Sequence, residues 1–233
     1  MTTHPEKSQR IRQFQAHKVV RALGFFFVFI FFLNAISILN FHVNGYDIKR
    51  INFNDERNIP TYFATLQLLF SAYLLWWIAA KKFVAQDHFR FHWRGLSLIF
   101  YFLALDEFFQ IHDRIQPKTP GGWVNTYLIL TAIVGLSYLY FLLKLPKKTR
   151  NLMALGGFVF VAGAIGMELV GVALKGIGHG RGTIFYQITT TIEESMEFIG
   201  ILIFIKSLLL YITSQYGEFR KELKKSTLLI TGP

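Results

Sequence analysis

The chain contains no cysteine, which excludes disulfides, thiolate metal ligands and a cysteine nucleophile without saying anything about compartment. Proline is sparse at 6 residues and charged residues make up only 17% of the chain. No internal repeat is visible. The Gly-rich stretch Lys175-Gly-Ile-Gly-His-Gly-Arg-Gly182 has no Gly-Lys-Ser/Thr ending, so it is not a phosphate-cradling loop. The Glu-x-x-His pair of soluble di-iron bundles is also missing. Its nearest counterparts are Glu194-x-x-Glu197 and Glu107-x4-His112.

Apolar residues are abundant instead. They form 52% of the 233 residues, with 25 Phe and a mean hydropathy of +0.36, the profile of a polytopic membrane protein rather than a soluble domain. Six apolar segments follow one another at about 22–41, 62–80, 96–115, 123–143, 152–174 and 184–211. Charges and turn-forming residues separate them, including Asn44-Gly45, Pro60, Lys81-Lys82, Pro117 to Gly122 and Lys144 to Arg150. The expected fold is all-α: a basic tail over 1–21, a bundle of six transmembrane helices over 22–212 and a second basic tail over 213–233. Ala35-Ile36-Ser37 loosely resembles a signal-peptide cleavage site, but the apolar run continues past it and favours an uncleaved first span.

Basic residues accumulate on one side of this arrangement, which sets orientation by the positive-inside rule. With both termini cytoplasmic, the inner side holds 18 basic and 4 acidic residues, a net of +14. The outer side and the acid-bearing spans hold 7 basic and 10 acidic residues, a net of −3. This asymmetry accounts for the formal charge of +11 without a nucleic-acid partner. It places the protein in a plasma membrane, or in the inner membrane if the source is bacterial.

Acids inside apolar segments are the informative departure, because each costs roughly 2.5 kcal/mol or more at the centre of a span. The sixth segment carries Glu193, Glu194 and Glu197 on one helical sector, which Tyr186, Gln187 and Thr190 extend. The third carries Asp106 and Glu107, with Gln110 and Asp113 on the face of Asp106 and with His112 and Arg114 nearby. The fifth carries Glu168 beside a seven-residue repeat of small residues, Gly157, Ala164 and Gly171, expected to be a helix–helix contact. The topology puts these acids in the outer half of the bilayer, against Arg114, Lys118, Lys175 and Arg181. Even full pairing with those four leaves negative charge in excess, so some carboxyls hold protons or cations bind.

The expected site is therefore a divalent-metal centre, of unspecified metal, with ligands Asp106, Glu107, Glu168, Glu193, Glu197 and His179. Glu194 and His112 are its acid/base candidates, and His42 is a further outer histidine. His88 and His92, spaced i, i+4, lie among cytoplasmic basic residues and read as solvated. Three function classes fit this pattern. The first is a metal-dependent membrane enzyme, a hydrolase or oxidoreductase, acting on lipid or a lipid-linked substrate. A cation or proton transporter or channel, which at this length would work as a homo-oligomer, is the second. A non-catalytic membrane assembly protein is the third.

Overall fold

The computed structural model describes the backbone of residues 4–111, 122–180 and 182–230, and the side chains of 16–111, 124–180 and 182–216. Six helices are described: α1 (His4–Asn44), α2 (Ile59–Val84), α3 (Arg90–Phe109), α4 (Gly122–Lys144), α5 (Lys147–Gly176) and α6 (Ile184–Ile230). Five of them are long and apolar enough to cross a membrane. The exception is α3, whose 20 residues include Arg90, Arg94, Asp106 and Glu107. Six transmembrane helices were expected; six helices occur among the described residues, but these charges keep α3 below the apolarity of its neighbours. Both terminal helices outrun their apolar segments, α1 reaching back to His4 and α6 forward to Ile230.

The core is built on α6. At one end of the bundle Leu75 and Ile78 of α2, Trp93 of α3, Phe141 of α4 and Ile205 and Leu208 of α6 pack into one buried cluster. Toward the other end Phe198 of α6 meets the rings of Phe27, Phe53 and Phe63 at centroid distances of 5.5–5.7 Å. Large apolar side chains on the outside, such as Phe25, Phe32, Leu66 and Leu136, remain exposed, as expected of surfaces that face lipid.

Helices α5 and α6 approach through glycine. A Cβ on Gly156 would lie 2.8 Å from the Gly200 carbonyl oxygen, and one on Gly200 would lie 2.6 Å from the Phe160 nitrogen. Gly163 is somewhat less tight, a Cβ there lying 3.0 Å from the Glu193 carbonyl oxygen. Of the expected stripe of Gly157, Ala164 and Gly171, Gly171 faces Tyr186 of α6, whereas a Cβ on Gly157 would meet nothing within 4 Å. A π-helical segment, Ala162–Met167, interrupts α5 and explains the shift. One extra residue in the turn changes the contact spacing from seven (Gly156 to Gly163) to eight (Gly163 to Gly171), which a strictly α-helical reading cannot anticipate.

Helix α4 touches the bundle with a single stripe. Val124, Tyr127, Thr131, Val134, Tyr138 and Phe141 are at least partly buried, while the residues between them are exposed. Tyr138 rests where a side chain on Gly95 of α3 would lie, and its hydroxyl donates to the His92 carbonyl at 3.1 Å.

Candidate cation site

The first connection, from Gly45 to Asn58, is held down by buried asparagines. Asn34 of α1 accepts from the Phe53 amide at 2.9 Å and donates to the Thr191 hydroxyl of α6 at 3.0 Å. Asn58 donates to the carbonyls of Asn52 and Asp55 at 2.6 and 2.7 Å, and its own Oδ1 caps α2 by accepting from the Thr61 amide at 3.1 Å. An asparagine at a helix N-cap satisfies an otherwise orphaned amide; here the same residue also fixes the loop. Asn52 donates to the Asp47 carboxylate at 2.8 Å. This network delivers Asp55 and Glu56 to the head of the bundle, where Gln110 donates to Glu56 at 3.0 Å. Gln110 itself is left-handed (φ 56°) and ends α3.

Beneath that loop lies a cavity of about 220 Å³. Eight carboxylate residues line it: Asp55 and Glu56 from the loop, Asp106 and Glu107 from α3, Glu168 from α5, and Glu193, Glu194 and Glu197 from α6. Lys175 is the basic residue in the lining among the described residues, and its ammonium also sits 5.0 Å from the Tyr186 ring. Tyr127 and Thr131 from α4 and Tyr186 and Thr190 from α6 add hydroxyls. The floor is apolar. Leu68, Leu103 and Phe160 line the cavity and also belong to or pack on the large buried cluster.

Local sequence explains each placement. Glu193, Glu194 and Glu197 share a sector of α6, and Phe198, a residue further on, turns the other way into the aromatic cluster. Asn34 grips Thr191 from α1, fixing the rotation of α6. Glu168 follows the π segment directly, so the extra residue in that turn decides where it points. Thr183 starts α6 as its N-cap, accepting from the Tyr186 amide at 3.4 Å and donating to the Gly180 carbonyl at 2.9 Å.

The cavity brings together Asp106, Glu107, Glu168, Glu193, Glu194 and Glu197, all identified from sequence. Among the described residues it does not gather the histidines. His179 stands outside the lining against Phe185, with ring centroids 5.0 Å apart. His42 is hydrogen-bonded to Gln187 at 3.0 Å, which takes Gln187 out of the polar sector as well. His112, Asp113, Arg114, Lys118 and Arg181 lie outside the described residues. Among the described residues, no three His, Asp or Glu side chains are set at the spacing of a single bare ion. Asp55 and Glu56 were missed by sequence reading because loop acids carry no helical period. The signal available was the density of Asn and Asp between Asn44 and Pro60, more than a simple turn requires.

No curated protein and no solved structure matches the chain. A family described as a domain of unknown function (DUF8692) matches residues 20–212, a stretch that includes every residue lining the cavity. The chain is a member of the DUF8692 family.

Proposed function

We propose that the protein spans the membrane six times with both termini in the cytoplasm. Its acidic cavity opens outward and takes up a hydrated divalent cation for metal-dependent chemistry on a lipid or lipid-linked substrate. One observation carries this reading: among the described residues, eight carboxylates and one lysine line a single cavity. Water occupies about 30 Å³ per molecule, so the cavity has room for roughly seven. That volume suits a hard cation such as Mg²⁺, which keeps most of its waters and needs only one or two carboxylates directly. When bound, the cation would supply Lewis-acid polarisation of an ester or phosphoryl oxygen. On the chain's side, Glu107, Glu168 and Glu193, from three helices, would hold the hydrated ion. Glu194 would take up or return a proton, and Leu103, Val161 and Ile165 would accommodate an apolar portion of the substrate.

The test is elemental analysis of detergent-purified protein, wild type beside Glu193→Ala and Glu107→Ala, followed by titration with Mg²⁺ and Mn²⁺. Stoichiometric retention by the wild type and loss in both variants is the expected result. Equal and negligible uptake by all three would remove the cation from the reading. Turnover of a lipid extract with and without chelator then tests the enzymatic half.

One observation favours passage of cations or protons instead. Gln67 is 1% exposed, neither of its amide atoms has a hydrogen-bond partner, and it adjoins Leu68 of the cavity floor. A polar group at that depth suits a route inward. Proteoliposome flux separates the two, because passage requires flux that Glu193→Gln abolishes.

A further inference from the structure

The opposite end of the bundle holds a second pocket of about 300 Å³ with the reverse chemistry. Helices α2, α3, α4 and α6 and the turns that join α2 to α3 and α4 to α5 all contribute to it. Its walls are aromatic, with Phe89, Trp93, Phe141 and Tyr211. Trp93 and Phe141 are in edge contact at 5.0 Å, and Trp93 and Tyr211 are at 4.8 Å. Two lysines line the pocket. Lys82 is bonded to Asp87 at 2.8 Å, whereas Lys144 lies 5.2 Å from the Tyr140 ring and has no carboxylate partner among the described residues.

The surroundings add to the positive field. From Lys81 to Arg94 and from Lys144 to Arg150 the chain carries eight basic residues and a single acid, Asp87. Lys82 already neutralises that acid. The pocket therefore combines a lysine with no carboxylate partner among the described residues, a lysine paired with Asp87 and an aromatic wall, at the level where α2 and α4 end.

We propose that this pocket holds the headgroup phosphate of an anionic membrane phospholipid. Lys144 and Lys82 contact the phosphate, and Trp93, Phe141 and Tyr211 flank the glycerol and the first acyl carbons. Basic pockets between transmembrane helices take anionic headgroups in this way, and juxtamembrane lysines add attraction to an acidic leaflet. Aromatic rings with one wet edge suit the same interfacial depth. The lysines provide the anion affinity, while the apolar wall selects a lipid over a free anion.

Native mass spectrometry of the full chain, released from detergent containing equal amounts of phosphatidylglycerol and phosphatidylcholine, tests the proposal. The wild type should retain one phosphatidylglycerol in clear preference to phosphatidylcholine. Losing a hydrogen bond to a charged group weakens binding by about ten-fold, so Lys144→Gln should lower retention by that factor. Lys148→Gln makes the same charge change outside the pocket lining and should leave retention within two-fold. Lys144 lies at the exposed end of α4, so its replacement leaves the core packing untouched; an unchanged thermal midpoint of Lys144→Gln will verify this. Equal retention of both lipids, equal losses in the two variants, or complete displacement of lipid by inorganic phosphate would each overturn the proposal.

Discussion

At the scale of single residues, the sharpest expectations concern glycines and asparagines. Gly200→Ala would drive a Cβ to within 2.6 Å of the Phe160 backbone. Overpacking of this kind costs about 1–3 kcal/mol, so its thermal midpoint in detergent should fall clearly below wild type. Gly157→Ala meets open space, and the gain in helix propensity, up to about 1 kcal/mol, should leave that midpoint equal or higher. A pair of results in the opposite order would contradict the α5–α6 contact. Asn34→Ala leaves the buried Phe53 amide without its acceptor, a loss of about 1–3 kcal/mol. It also loosens the loop that carries Asp55 and Glu56, so cation retention should fall along with stability. Residue chemistry was legible where cost made it so. Acids in apolar segments announce themselves, and Asp106, Glu107, Glu168 and the α6 triad follow from that alone. Histidines carry no such penalty near an interface, and for His42 and His179 sequence could not separate a ligand from a side chain with an ordinary partner.

At the scale of elements, the π segment of α5 is the decisive irregularity. Deleting Ala164 would restore an α-helical turn and rotate Glu168 about 100° relative to α6. Helical content by circular dichroism should stay level while cation retention drops; retention at the wild-type value would make the segment incidental. Apolar periodicity located every helix but not the polar extensions of α1 and α6, and nothing in it marks a π turn. That is why the small-residue stripe was expected one position away from Gly156 and Gly163. A similar limit applies to α3, expected to continue to residue 115 and instead ended by the left-handed Gln110. The turn between α2 and α3 provides a further test. Burial raises the Asp87 carboxyl, but the Lys82 hydrogen bond and the Phe89 amide outweigh it, leaving the group below its usual 3.8. A lowered folded value means the stabilisation is complete at higher pH and is lost as pH falls through the range below 3.8. Thermal midpoints of Asp87→Asn should therefore converge on those of wild type in strong acid and lie below them near neutrality.

At the scale of the whole molecule, the absence of cysteine makes topology directly measurable. A single cysteine at Gly180 should react with a membrane-impermeant maleimide on intact cells, whereas one at Lys148 should react only after permeabilisation. Labelling of both from the same side would refute the proposed orientation. The global architecture was the most legible level, because length, apolarity and the sign of charge act over whole segments. What sequence could not supply was closure, the way a loop, five helices and one irregular turn meet around a shared volume.

The lone stripe by which α4 adheres has a practical corollary. In the proposed membrane setting, a wall seated on Tyr138 and Phe141 and otherwise exposed to acyl chains would answer to the thickness and lateral pressure of the surrounding bilayer. Thin or short-chain membranes should pry it outward, leaving the acidic chamber ajar toward the hydrocarbon. Cation retention measured in bilayers of decreasing chain length should then fall, and retention independent of chain length would show that α4 stays seated.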